Sequence, residues 1–284
     1  MITLTAGSSS LTLAPDLGGS VLGLTLGGHR VLRAAEQAGA VLDSAAFPLI
    51  PFAGRIDQGR FEWMGRSIQL AANFPPEPHA IHGMCWQQPW TVRDQTATSL
   101  EMSRHHDGTG WPWAYRSTQT FTLTGDALRL DLSLTNCADT PMPGGLGWHP
   151  YFIRGDAVLT ARTGLIWAAR PGTIGTRPVA PTPDTDLSGP RPVAGLVIDN
   201  AYDWPARSAR MDWPGHHGVA LTASDLFGRL VVYTPPGEDF FCVEPLSHAP
   251  DAHNRNHDPA KTGLRPLAPG ETMHGTISLR LTQA

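Results

Sequence analysis

The sequence predicts an all-β fold, a large antiparallel β-sandwich, and three observations carry that prediction. The dominant apolar period is two, the repeat of a half-buried strand. Gly and Pro number 30 and 26 among 284 residues, about one residue in five against a usual share of about 12%. No window of eleven or more residues shows the apolar spacing of three and four that a helix needs.

The elements follow in chain order. Ser10–Leu13, Val21–Leu26 and Ser67–Leu70 alternate apolar and polar residues. The clearest case runs from Asp126 to Thr135: Leu128, Leu130, Leu132 and Leu134 share one face, and Arg129, Asp131, Ser133 and Thr135 share the other. Arg116–Leu123 precedes it across Gly125-Asp126, which predicts a β-hairpin. Arg229–Tyr233 and Thr276–Leu281 alternate in the same way. Asn73-Phe74-Pro75-Pro76 and Thr234-Pro235-Pro236-Gly237 break the pattern as turns. The Pro- and Thr-rich stretch from Pro171 to Pro192 reads as a domain linker or as a long loop. Strand patterning resumes at Gly195-Leu196-Val197-Ile198, which favours the loop and a single domain over residues 1–284.

Composition bounds the function. Hydrophobic residues at 41% allow a sizeable core, and the charged share is 16%. With 21 basic and 25 acidic residues and no basic run, the chain lacks the electrostatic footprint of a nucleic-acid binder. No apolar run reaches 18 residues, so no membrane partner is expected. Three widely spaced cysteines, Cys85, Cys137 and Cys242, suit a reducing compartment better than a disulfide framework. The segment Met1-Ile2-Thr3-Leu4-Thr5 lacks a basic stretch leading into an apolar one. A cytoplasmic protein is the expectation, with oligomeric state left open.

Three segments place an ionisable residue beside Gly or Pro: Ala80-Ile81-His82-Gly83, Gly147-Trp148-His149-Pro150-Tyr151-Phe152 and Cys242-Val243-Glu244-Pro245. Such neighbours end strands and aim side chains into clefts. His149 sits among aromatics, which favour a neutral ring. Glu244 follows an apolar run, at a strand end that Pro245 is expected to close, where a carboxylate must be paired or used. From spacing alone each is either a hydrogen-bonded structural group or a reactive one. His248, His253 and His257, with Asp251 and Glu244 nearby, form the candidate metal set. They lie in a Pro- and Asn-bearing loop without the His-Glu-x-x-His spacing of a zinc helix, so no metal is expected. The doublets His105-His106 and His216-His217 read as solvated turns. Gly-x-Ser-x-Gly and the phosphate-binding Gly-x-x-x-x-Gly-Lys-Ser/Thr are both missing. Acid–base chemistry by His and Glu remains.

Six segments in order resemble the aldose 1-epimerase family: Pro48-Leu49-Ile50-Pro51-Phe52-Ala53-Gly54-Arg55-Ile56, Ala80–Gly83, Gly147–Phe152, Ile198-Asp199-Asn200-Ala201-Tyr202, Val232-Tyr233-Thr234-Pro235-Pro236-Gly237 and Cys242–Pro245. The resemblance implies one large antiparallel sandwich and interconversion of the α and β anomers of a free sugar, without metal or cofactor. It also implies Glu244 as general base and His149 as general acid, with His82 and Arg55 lining the sugar site and Asp199 holding a ring hydroxyl. Two departures stand out. Gly54 replaces the Asn that many members carry before the arginine, and Pro235 occupies a turn where many carry Gln. Three rivals are a hexose-6-phosphate 1-epimerase, which needs a basic cluster, a metal-dependent isomerase, and a non-catalytic module stacking sugars on Trp86, Trp90, Trp111 and Trp113.

Overall fold

In the computed structural model, which describes residues 1–169, 174–175, 177–255 and 258–283, the expected hairpin is the centre of a sheet. Tyr115–Leu123 pairs antiparallel with Ala127–Asn136, Phe121 facing Leu130 and Thr118 facing Ser133. Leu128, Leu130, Leu132 and Leu134 are all buried. Each such side chain contributes roughly 1.5–3 kcal/mol on leaving water.

Among the described residues this sheet has nine strands. Thr91–Gln95 and Ser99–His106 flank the hairpin on one side; Thr272–Thr282, His217–Ala223, Ser208–Trp213, Val158–Ala161 and Arg191–Pro192 follow on the other. A second sheet of eleven strands runs in the order Ile2–Ala6, Ser9–Ala14, Ser20–Leu26, Ala46–Leu49, Gly147–Ile153, Phe240–Leu246, Arg229–Tyr233, Asp199–Asp203, Ile166–Trp167, Pro178–Val179, with His29–Arg30 paired to the third. Every strand pair is antiparallel. Residues of both sheets share one apolar core, which reaches from Leu4 to Leu279 and encloses Trp111, Trp113, Trp148 and Trp204. The fold is all-β, as expected.

Two local expectations are corrected. Gly195–Ile198 is not a strand: Val193–Gly195 is a 3₁₀ turn, and the strand begins at Asp199. Its alternation is real, since Leu196 and Ile198 are buried and Val197 is exposed. The Thr234 side chain, however, accepts from the Ile198 amide at 2.8 Å, closing the ladder with a hydroxyl. His106 and His217 are buried rather than solvated. His106 ends a strand and bonds Trp111 O at 2.9 Å, and His217 stacks between His29 and Trp213. Within the stretch from Pro171 to Pro192, Pro178–Val179 edges one sheet and Arg191–Pro192 the other. Residues 170–173 and 176 lie outside the described residues.

Candidate active site

Two neighbouring strands of the eleven-stranded sheet carry the candidate acid and base. Gly147–Ile153 and Phe240–Leu246 pair at Gly147–Leu246 and again from Tyr151–Cys242 to Ile153–Phe240. No pairing joins them between those points among the described residues. Pro150 and Pro245 stand in that gap, each without an amide hydrogen to give. The outer neighbours hold both strands instead: Phe47 pairs with His149 and Val231 with Glu244. Pro245 therefore does not end the strand, as the sequence suggested; Leu230 and Arg229 keep Pro245 and Leu246 in the sheet. Glu244 is mid-strand, and its register puts it opposite His149.

Their side chains meet across this gap, His149 Nε2 lying 3.4 Å from Glu244 Oε1. Both are buried, Glu244 at 3% exposure and His149 at 9%. The imidazole is stacked between Phe47 and Tyr151, each with ring centroids 4.7 Å away. Desolvation dominates the electrostatics: it drives the His149 imidazole down to about 3 and the Glu244 carboxyl well up. The Asp199 charge raises Glu244 further, and Arg55 opposes it. Burial thus favours a neutral pair with one proton on Glu244. A pair this close titrates as a unit, and moving that proton to His149 makes the ion pair.

Around the pair, Arg55, His82 and Asp199 converge, as the sequence predicts. Asp199 faces Tyr233, and its strand is anchored by the Thr234 amide on Ile198 O at 2.8 Å. Burial raises the Asp199 carboxyl, and the Arg55 charge opposes the rise. His82 has φ of +60°, a conformation sparsely populated by non-glycine residues and common at functional sites. It clamps Gly54: its amide donates to Gly54 O at 2.9 Å and its Nδ1 accepts from the Gly54 amide at 3.2 Å. Because burial keeps this ring neutral and Nδ1 is an acceptor, the proton sits on Nε2 as a donor. The ring lies 5.5 Å from His149 between centroids. Gly54 has φ of +70° with open space where a Cβ would be, so the family's Asn fits the same backbone.

Sequence reasoning missed Glu77. It grips Arg55 through both carboxylate oxygens, with Nε to Oε2 at 2.7 Å and Nη2 to Oε1 at 2.6 Å. This bidentate geometry fixes the guanidinium plane. The available signal was Pro76-Glu77-Pro78, a carboxylate held between two rigid residues.

His248 and His253 of the candidate metal set have other uses in the structure. His248 Nε2 accepts from the Ala53 amide at 3.1 Å, holding the Phe52–Arg55 segment, and Nδ1 donates to Ala249 O at 2.9 Å, so both nitrogens are engaged. The His253 ring packs against Phe52, Phe61 and Trp111. His257 lies outside the described residues. Burial depresses the His248 ring to about 4. The unfolded chain then takes up a proton near 6.5 that the folded chain refuses until about 4. Stability should fall by about 3 kcal/mol as pH drops through that window. His248→Gln keeps an acceptor for Ala53 but does not titrate, so its melting temperature should fall less steeply between pH 6.5 and 4. Parallel curves for the two proteins would refute the assignment.

Among the described residues, one group could bring three metal-ligating atoms together: His149, Cys242 and Glu244, all buried, with donor atoms within 4.8 Å of one another. The tryptophans suggested as a sugar platform are not available, since Trp86, Trp90, Trp111 and Trp113 are at most 3% exposed.

Comparison with known proteins agrees with the fold. The family profile described as aldose 1-epimerase matches residues 1–280. The uncharacterized protein YphB of Escherichia coli K12 is 32% identical, covering 98% of each chain. A solved structure from Escherichia coli K12 with a provisional aldose 1-epimerase assignment superposes with a TM-score of 0.91 at 31% identity, over 99% of this chain and 98% of that one. A galactose mutarotase-like protein from Clostridium acetobutylicum has a TM-score of 0.87 at 18% identity, over 99% and 95%, and shares the fold.

Proposed function

The chain belongs to the aldose 1-epimerase family, and on that premise we propose that it interconverts the α and β anomers of a free, uncharged aldose. The observation that supports this reading is the buried His149–Glu244 contact of 3.4 Å, framed by His82, Arg55 and Asp199. Glu244, as carboxylate, takes the proton of the anomeric hydroxyl while His149, as imidazolium, protonates the ring oxygen. The C1–O5 bond breaks, leaving an open-chain aldehyde, a carboxylic acid and a neutral imidazole. That neutral pair is the form burial favours, so the site suits the open-chain stage. Rotation about C1–C2 turns the other face of the carbonyl to O5. Closure reverses both transfers: His149 takes the O5 proton and Glu244 protonates O1. Each transfer is of a kind that contributes roughly 10²–10⁴-fold. His82 donates through Nε2 to a sugar hydroxyl, and Asp199 accepts from one. We place the whole reaction in one domain, residues 1–284, and in the cytoplasm, a setting supported by three unpaired thiols.

The uncharged substrate follows from charge. Three carboxylates, Glu77, Asp199 and Glu244, act on the one guanidinium of Arg55. Arg55 is thus already paired, and Arg33, stacked on Tyr151 beside His149, is a lone second cation among the described residues, a sparser basic set than a hexose 6-phosphate calls for. Polarimetry of freshly dissolved α-anomers of glucose, galactose, xylose, arabinose and fucose, with glucose 6-phosphate alongside, tests both points. Acceleration of at least one free sugar is expected. Failure with all of them refutes the activity, and a preference for the phosphate refutes the charge argument.

Glu77 acts in this scheme as a positioning residue. With Nε and Nη2 held, Arg55 presents Nη1 to the sugar in a fixed direction. Glu77→Gln should raise KM by roughly tenfold, the worth of a charged hydrogen bond, with kcat changing much less. An unchanged KM would show that the pair only fastens the loop.

A further inference from the structure

Cys242 takes no part in the proton transfers above, yet it is held against both groups that do. Tyr151 pairs with Cys242, the same register carried across the unpaired gap sets His149 opposite Glu244, and residues two apart in a strand share a face. The Cys242 thiol is fully buried. His149 Nε2, Cys242 Sγ and a Glu244 oxygen all lie within 4.8 Å of one another.

We propose that His149, Cys242 and Glu244 form an inhibitory site for a thiophilic divalent cation of the zinc class, which silences the enzyme by occupying both proton-transfer groups. One nitrogen, one sulfur and one carboxylate oxygen are the donor types zinc accepts, at bonds of about 2.0–2.3 Å, and three protein ligands leave a fourth position open. Tetrahedral geometry at those lengths sets donors roughly 3.5 Å apart. The His149–Glu244 distance of 3.4 Å already meets this. A side-chain shift of about 1 Å brings in the sulfur. The thiolate selects zinc, cadmium or cobalt over magnesium.

The surroundings also set the role. Metal-bound histidines ordinarily donate their second N–H to an acceptor that orients the ring. His149 Nδ1 is buried and has no hydrogen-bond partner among the described residues. Aromatic stacking against Phe47 and Tyr151 orients the ring instead. The site therefore lacks the second layer of a resident cofactor site, which fits reversible inhibition. Binding expels the thiol proton and any proton on the dyad, with no change of oxidation state.

Cobalt(II) is the probe. Wild type should bind one equivalent with a thiolate-to-cobalt charge-transfer band in the near ultraviolet, displaced by zinc and unaffected by magnesium. Cys242→Ser should abolish the band, whereas Cys85→Ser and Cys137→Ser should keep it. No band with cobalt in excess, or a band that survives in Cys242→Ser, overturns the proposal. Should Cys242→Ser fail to fold, Glu244→Gln decides: it keeps the thiol but should bind cobalt at least ~10–100-fold more weakly, the range that even outer-layer losses reach. Unchanged affinity there refutes the site. These measurements need no turnover, so they stand or fall separately from the mutarotase reading. Where turnover is seen, zinc should suppress it and a chelator restore it; bound zinc with full turnover overturns the placement of the ion on the dyad.

Discussion

Glu244→Gln should lower kcat by roughly 10²–10⁴-fold, about 3–5 kcal/mol of barrier, while the protein stays as stable as wild type or becomes slightly more so. The two halves of this result have one cause. Glu244 is 3% exposed, and its carboxyl is pushed well up by desolvation and by Asp199. A buried ionisable group in such surroundings is a burden on the fold. Gln keeps the shape and removes the ionisation, so melting temperature should hold or rise. It cannot accept a proton, so ring opening should stall. KM should change little, because sugar contacts through Arg55, His82 and Asp199 persist. A purely structural carboxylate predicts the reverse, a lower melting temperature with turnover per folded molecule intact. Polarimetry and thermal denaturation on one purified variant separate the two, and wild-type turnover would remove Glu244 from the mechanism.

The fold and most of this site were legible in the chain, for reasons that also explain the failures. Leu128 to Leu134 could be read because one sheet face is dry and the other wet, which writes a period of two into the residues. Gly195–Ile198 misled because its alternation survives while the Thr234 hydroxyl takes the Ile198 amide in place of a backbone carbonyl. His82, His149 and Glu244 were legible as chemistry beside Gly or Pro. Pro245 misled because a proline ends a ladder on one side only: its strand lost pairing toward Gly147–Ile153 and kept it toward Arg229–Tyr233. Glu77 was hidden since its meaning depends on a partner 22 residues away. His248 was weighed only as a metal ligand and set aside. Its contact with Ala53 spans 195 residues, and no local spacing records a contact of that range.

His149→Gln should also cut kcat by about 10²-fold or more, and here stability should fall with it. The sequence suggested a histidine aimed into a cleft by its proline neighbour. In the structure the ring is stacked between Phe47 and Tyr151 and only 9% exposed. Aromatic contacts of this kind are worth about 0.5–1.5 kcal/mol each beyond area, so Gln should lower the melting temperature measurably. Turnover must therefore be expressed per folded molecule, below the new transition. A second measurement makes the role testable against simple damage. Glu244 and His149, 3.4 Å apart, act together on the sugar in each half-reaction, one taking a proton as the other gives one, so losing either breaks both transfers. The double variant should be no slower than the slower single variant, as residues that act as a unit are strongly non-additive. Two independent contributions would instead multiply, taking the double variant down by the product of the single losses. A multiplicative result would show that the two side chains serve separate steps, and the coupled pair of transfers would have to be abandoned.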